Sequence, residues 1–197
     1  MKQPAVSFLL LLTSVCATPW AAAQQALVIK PLAERKVDEL PPGELYWRIE
    51  NVASAEQAKS GAGPWSLVAE SNGKVWLFTL GPSGKASANA TRVAEVGPIP
   101  RVTATEYLLR VNEASGPPGS VTAVHSHPGS EAFYVLAGEQ SIRGAQGTQR
   151  VKAGQAEPGQ AGASAMQVSS SGTTDLHALV MFVVDAGKPF SSPATMP

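Results

Sequence analysis

The chain has 197 residues, and its 15 acidic and 15 basic side chains give a formal net charge of zero. This length accommodates one ordinary domain with a sizeable core, or at most two small domains. Because no cluster of lysine and arginine is interleaved with aromatic residues, we do not expect the protein to bind nucleic acid.

The first residues have the three parts of a secretory signal peptide. Lys2 precedes the apolar run FLLLLTSVCA, and the small residues AAA at 21–23 provide a cleavage site. The run is shorter than the roughly 20 apolar residues that a transmembrane helix requires. We therefore expect residues 1–23 to be removed and the mature protein to be periplasmic or secreted, without a membrane anchor. Cys16, the single cysteine, would leave with this segment, so the mature protein would contain no disulfide.

Residues 24–100 are predicted to form strands and one short helix that pack on the domain that follows. Two segments within 27–52 alternate in polarity as strands do, and Ser54 begins a capping box that predicts the helix. Asn72-Gly73, between two runs of alternating apolar residues, predicts a hairpin. The aromatic residues of this hairpin suit either a ligand-binding wall or the core of one sheet face, and the core is the favoured interpretation.

Residues 101–186 contain many short alternating runs separated by glycine and proline, with almost no helical periodicity. This pattern predicts an all-β sandwich or barrel. The tail at 187–197 has no such pattern, and we expect it to lie on the surface.

Two histidines and a glutamate stand close together within this region. On a β-strand, His125 and His127 face the same way because side chains alternate with a period of two. A Pro-Gly-Ser turn then leads to Glu131, next to the apolar run AFYVLA. Two imidazoles and a carboxylate brought together across a turn provide three ligands for a first-row divalent metal.

The wider spacing around these residues resembles the first sequence motif of the cupin superfamily. Gly119, His125, His127, Glu131 and Gly138 match that motif at every required position. The resemblance implies an all-β fold, a double-stranded β-helix (cupin jelly-roll barrel), with the N-terminal strands and the short helix as additions outside it. It also implies that the two histidines and the glutamate bind one divalent transition metal inside the barrel, with Fe, Mn, Cu, Ni and Zn all open.

The second motif of the superfamily is incomplete in this chain. After the turn region at 158–162, Met166 occupies the position of the family's fourth ligand, a histidine, and Ser170 replaces an asparagine. Met166 is either a thioether ligand, which favours copper, or an apolar residue that leaves three protein ligands and open coordination positions. A third alternative is that His177 supplies the missing imidazole from the last strand. In a jelly roll, however, these two strands would lie in opposing sheets.

Two buried structural histidines, or a barrel that has lost its metal, are the alternatives to a metal centre. A buried Glu131 without a cation or a partner would be costly, which favours the metal. Because binding requires neutral histidines, it should weaken below about pH 6 as imidazole takes up a proton.

The favoured hypothesis for function is a metal-dependent enzyme that acts on a small organic molecule, similar to the oxygenases and isomerases of the cupin superfamily. Phe133 and Val135 share the inward face with Glu131 and are the expected pocket walls, with Tyr107 as a further candidate. No residue stands out as a catalytic acid or base beyond the three ligands.

A non-catalytic periplasmic protein that binds copper or a small molecule is the alternative hypothesis, which a thioether ligand from Met166 would favour. A structural or storage module ranks third. Cupins commonly pair through strands outside the barrel, and by that resemblance residues 27–52 are candidates for a homodimer contact.

Overall fold

The structure is a computed structural model that describes residues 25–159 and 162–196. The predicted signal peptide at 1–23 lies outside the described residues. The elements that follow are nearly all strands: β1 Val28–Val37, β2 Leu45–Val52, α1 Ala55–Gly61, β3 Ser66–Ser71, β4 Lys74–Gly81, β5 Ala90–Ile99, β6 Tyr107–Gly116, β7 His125–Ser126, β8 Gly129–Ala137, β9 Glu139–Gly144, β10 Gly147–Lys152, β11 Ala156–Pro158, β12 Met166–Ser170, β13 Leu176–Asp185 and β14 Ser192–Pro193.

Two five-stranded antiparallel sheets form a barrel. Their strand orders are β1-β6-β13-β8-β11 and β10-β9-β12-β7-β14. One buried apolar cluster draws side chains from both sheets, such as Phe133 and Val180 from the first and Ile142 and Val168 from the second. The prediction of an all-β, double-stranded β-helix fold is therefore confirmed.

A third sheet, with strand order β3-β4-β2-β5, covers the outer face of the first barrel sheet. Its hairpin turns at Asn72 and Gly73, which both have positive φ, at 51° and 68°. This geometry is the one that Asn-Gly hairpins favour. Trp76 and Phe78 are fully buried in the cluster between the two sheets, so the interpretation of these aromatic residues as core is confirmed.

The helix α1 is the short, capped element that the sequence predicted. The hydroxyl of Ser54 accepts a hydrogen bond from the backbone N–H of Gln57 at 3.2 Å, and the helix has seven residues. Within the part of the chain that the structure describes, no helix is both long and apolar enough to cross a membrane.

The barrel extends beyond residues 101–186 at both ends of the chain. Strand β1 pairs with β6, and β14 pairs with β7, so the predicted N-terminal region and the predicted tail each add one barrel strand. β1 is mostly exposed and carries several charges, as edge strands commonly do. Its own alternation cannot reveal which sheet edge it joins, because that pairing connects residues far apart in sequence.

The first barrel sheet has the barrel interior on one face and the third sheet on the other, and side-chain alternation decides which residues reach the interior. On β13, the even-numbered residues belong to the interior cluster, and the odd-numbered Leu179, Met181 and Val183 pack against the third sheet. On β6, Ala114 belongs to the interior cluster, while Leu109 and Val111 belong to the outer one. The same sheet therefore supports a packing face and a functional face.

Candidate functional site

A cavity of about 310 Å³ lies in the barrel interior, and most of its lining is apolar. Both barrel sheets contribute to it, together with the residues just before β14. The lining residues are Ile29, Asn112, Ala114, Thr122, Ala123, His125, His127, Glu131, Phe133, Val168, Val180, Phe182, Phe190 and Ser191. The structure thus brings four of the predicted site residues, the two histidines, the glutamate and Phe133, to one cavity.

The two histidine rings are held by backbone carbonyl groups. His125 Nδ1 is 2.8 Å from the carbonyl oxygen of Ala123, and His127 Nδ1 is 2.6 Å from that of Phe190. A carbonyl oxygen can accept a hydrogen bond but not donate one, so Nδ1 carries the hydrogen in each neutral ring. Nε2 then keeps its lone pair, and the carbonyl group at Nδ1 fixes the ring orientation, as is usual for histidine metal ligands.

His127 is kept neutral by its surroundings. Its side chain packs against the rings of Phe182 and Phe190, with centroids 4.8 and 4.7 Å away, and the residue is 6% exposed. Burial lowers its pKa from 6.5 to about 4, with smaller contributions in the same direction from His125 and Arg110, while the Phe190 carbonyl opposes the shift. At neutral pH the ring therefore presents a lone pair, and because burial lowers its pKa to about 4, the prediction of protonation near pH 6 is wrong for His127.

Glu131 is a buried carboxyl group that forms no ion pair with the described part of the chain. The residue is 3% exposed, and its Oε1 has no hydrogen-bond partner within residues 25–159 and 162–196. Burial raises its pKa from 4.5 to about 8, because the charged form loses its hydration without gaining a partner. A Cβ atom on Gly159 would overlap Glu131 Cγ, so the absence of a side chain at 159 makes room for this carboxyl.

These donors suit a divalent transition metal chemically, but they do not converge on one point. Two imidazole nitrogens and a carboxylate form a common catalytic ligand set. Across the described ranges, no group of three or more His, Cys, Asp or Glu side chains is arranged to hold a metal ion. The residue types therefore suit a metal ion, although their side chains are not already arranged around one point.

Met166 lies directly opposite His125 in the pairing of β12 with β7. Opposed residues in antiparallel strands have Cβ atoms about 5 Å apart and project from the same face. The side chain is 2% exposed and belongs to the interior apolar cluster, and it is not among the cavity-lining residues. Met166 thus lies beside a predicted ligand, and coordination by its sulfur stays a prediction.

The structure does not bring His177 to the histidine pair. Glu131 is opposite Phe182, whereas His177, five residues earlier on β13, is opposite Ala137. At about 3.3 Å per residue, this places His177 roughly 17 Å along the strand from the glutamate position. Its odd number also puts it on the strand face that packs against the third sheet, and the two strands of Met166 and His177 lie in opposing sheets, as expected for a jelly roll.

The predicted wall residues are divided among three locations. Phe133 lines the cavity, and Val135 packs in the same interior cluster beyond the cavity lining. Tyr107 packs against the outer cluster instead, and its hydroxyl oxygen accepts a hydrogen bond from the N–H of Ala104 at 3.4 Å. The choice of Tyr107 took the wrong face of β6, because the even-numbered residues of this strand face the barrel.

Several site residues were missed by the sequence interpretation. Phe190 and Ser191 come from the tail, which was expected to lie on the surface and has no periodicity to place it. Asn112 lines the cavity, and Arg110 lies over the ring of Phe190 at 4.3 Å from its centroid. The alternation of β6 places Asn112 on the same face as Ala114, but both faces of this strand are largely buried, so the pattern does not show which face lines the cavity.

No protein-family model matches the chain, and no curated protein matches it. Several solved structures, however, are similar to this chain. A cupin-like protein from Thermotoga maritima is 16% identical over 45% of this chain and 65% of its own, with a TM-score of 0.39. A Klebsiella pneumoniae protein with a double-stranded β-helix domain is 22% identical over 44% and 75%, with a TM-score of 0.38.

A cupin domain from Bordetella pertussis is 18% identical over 38% of this chain and 80% of its own, with a TM-score of 0.33. The names of these three proteins refer to the cupin or double-stranded β-helix fold, which is also the fold of this chain. Among the first structures matched, the chain spans 48% of one from Acidithiobacillus ferrooxidans and 65% of the Thermotoga protein.

Proposed function

We propose that this protein is an exported, metal-binding cupin that acts as a metal-dependent enzyme on a small organic molecule. One observation supports this most strongly. The buried carboxyl group of Glu131, whose Oε1 has no hydrogen-bond partner within the described residues, lines the same apolar cavity as two imidazoles that make their hydrogen bonds to the described residues through Nδ1. A carboxyl group kept in this environment without a cation works against stability, so a bound ion gives it a physical role.

Nε2 of His125, Nε2 of His127 and the Glu131 carboxylate would hold the ion. When bound, a divalent transition metal supplies a Lewis acid that polarises an oxygen atom of an organic ligand. The carbonyl groups of Ala123 and Phe190 keep both rings in the required tautomer. Glu131 must release its proton to bind, so metal uptake should be accompanied by proton release.

The cavity walls would hold the organic molecule and exclude water. Phe133, Val180 and Phe182 form apolar surface on one side of the cavity, and Val168 lies on the facing sheet. A volume of about 310 Å³ is at the lower end of the roughly 300–1,000 Å³ found for ligand pockets. A ligand of about one ring therefore fits this space better than a larger molecule does.

A copper-binding protein without catalytic activity is the second candidate, supported by the position of Met166 opposite His125. Thioether sulfur is a soft ligand that suits copper more than the harder divalent ions. The two candidates differ in whether removal of this sulfur changes which metal is retained.

Elemental analysis of protein purified from the export compartment tests the proposal. We expect about one metal per chain in the wild type, loss of the metal in His125→Ala, and retention in the control His177→Ala, which lies on the other face of the barrel sheet. Retention of iron or manganese by Met166→Leu favours the enzyme, and loss of copper in that variant favours the copper protein. Equal metal content in wild type and His125→Ala would overturn both.

A further inference from the structure

A polar side chain that the metal hypothesis does not use lies in the wall of the cavity. Asn112 is on β6, is 2% exposed, and lines the cavity among mostly apolar neighbours. Its row partners across the sheet are Pro31 on β1 and Val180 on β13. A primary amide in such surroundings is costly unless its donors and acceptor are paired.

The orientation of the Asn112 amide follows from its neighbour. Arg110 Nε donates a hydrogen bond to Asn112 Oδ1 at 2.9 Å, and a guanidinium group is a donor without any acceptor. The atom facing Arg110 must therefore be the oxygen, which leaves Nδ2 as the other end of the amide. Nδ2 has no hydrogen bond within the described residues, so its two hydrogens are free for a ligand.

Arg110 is itself held in place. Its guanidinium group lies over the ring of Phe190, 4.3 Å from the centroid, and its Nη1 is 3.5 Å from a carboxylate oxygen of Glu34. An arginine fixed by a stacking contact and an ion pair maintains one hydrogen-bond direction better than a free side chain does. Arg110, which is not a cavity-lining residue, thus fixes which end of the Asn112 amide is the oxygen and which is the nitrogen.

Asn112 and Glu131 lie at different ends of the same cavity wall. Facing residues of β6, β13 and β8 form two adjacent rows on the cavity side: Arg110–Phe182–Glu131 and Asn112–Val180–Phe133. Two strand spacings of about 4.8 Å and one two-residue step of about 6.7 Å separate their Cα atoms by roughly 12 Å. Because both side chains project into the cavity, this Cα separation leaves room for a ring-sized ligand between the amide and the carboxyl group.

From this arrangement we infer that the cavity selects ligands that carry a hydrogen-bond acceptor, a carbonyl or carboxylate oxygen, positioned on the Asn112 amide N–H groups. Arg110 is the positioning residue that keeps the donor side of the amide toward the ligand. The inference rests on the proposed function in one respect, that the cavity binds a small organic molecule, and it extends that function by naming the ligand's second polar contact.

A set of probes of matched shape tests the inference. Acetophenone and benzoate carry an acceptor next to the ring, isopropylbenzene replaces it by a methyl group, and 1-phenylethanol offers a donor. Kd values are measured by NMR titration on the full chain, both metal-loaded and after treatment with a chelator. We expect the wild type to prefer acetophenone or benzoate over isopropylbenzene by about fivefold or more, as one net hydrogen bond provides.

Variants at the two positions separate a ligand contact from a structural role. Asn112→Leu should bind the hydrocarbon as well as the ketone. Asn112→Asp, which presents an acceptor, should shift the ratio of acetophenone to 1-phenylethanol affinity toward the alcohol. Arg110→Met leaves the amide free to turn and should reduce the preference for acceptors. The control Val180→Ala, in the same row, should change all affinities without changing their ratio.

The outcomes distinguish this inference from the proposed function. A wild-type preference that is unchanged in both Asn112→Leu and Arg110→Met overturns the assignment of the amide. A preference that depends on Asn112 in a protein that takes up no metal contradicts the metal-dependent function and supports the inference. If either Asn112 variant fails to fold, Arg110→Met decides the question, because it changes the amide through a partly exposed neighbour.

Discussion

Glu131 should make the metal-free protein less stable as the pH rises. In the unfolded chain this carboxyl group ionises near its ordinary pKa of 4.5, whereas burial in the fold raises the pKa to about 8. Above pH 4.5 the unfolded state therefore binds fewer protons than the folded state. Stability then falls with rising pH until the folded carboxyl group also ionises.

The size of the effect follows from the shift. Each pH unit inside this window costs about 1.36 kcal/mol, and the slope decreases as pH 8 is approached because the folded group begins to ionise. Between about pH 6.5 and about pH 8 the loss from Glu131 is therefore roughly 1–2 kcal/mol. His127, whose pKa is lowered to about 4, acts in the opposite direction and mainly below pH 6.5, and it is present in every variant compared.

Urea denaturation at several pH values, in the presence of a chelator, measures this loss. The free energy of unfolding should fall by roughly 1–2 kcal/mol more in the wild type than in Glu131→Gln, which removes the titrating group and keeps the shape. Phe133→Leu, on the same strand and in the same cavity, should keep the wild-type pH dependence at a lower overall stability. If Glu131→Gln loses as much stability as the wild type over this interval, the burial argument is wrong.

Three further predictions concern the groups around this carboxyl. Phe190→Ala should weaken binding of aromatic probes and leave most metal bound, because the contact to His127 is made by the backbone carbonyl; NMR titration and elemental analysis measure the two effects. Gly159→Ala should lower metal content, since its Cβ would displace Glu131, and unchanged content would refute this steric argument. Trp76→Ala should cost about 3–5 kcal/mol in urea denaturation without loss of metal, because this ring is buried in the outer cluster.

Local patterns in the sequence predicted the strands and the first part of the site. The spacing of His125, His127 and Glu131 depends on one turn between neighbouring segments, so short-range geometry was sufficient to bring them to one cavity. The Asn72-Gly73 hairpin and the Ser54 cap were predictable for the same reason, since each is a local conformational preference.

The remaining parts of the site depend on pairings between distant segments. Phe190 reaches His127 because β14 pairs with β7, and a strand of two residues is too short for any periodicity in the tail to predict it. Tyr107 and Asn112 occupy opposite faces of β6, and both faces of this strand are buried, so alternation alone could not assign the cavity face. His177 lies far from the glutamate because register, rather than residue type, determines its place along β13.

The metal centre is the central claim, and X-ray absorption spectroscopy of the loaded protein tests it most directly. We predict a first shell of nitrogen and oxygen at about 2.0–2.2 Å with scattering from two imidazole rings, and loss of one ring's contribution in His127→Ala. A shell in the wild type without imidazole, or one that is unchanged in His127→Ala, would contradict the account.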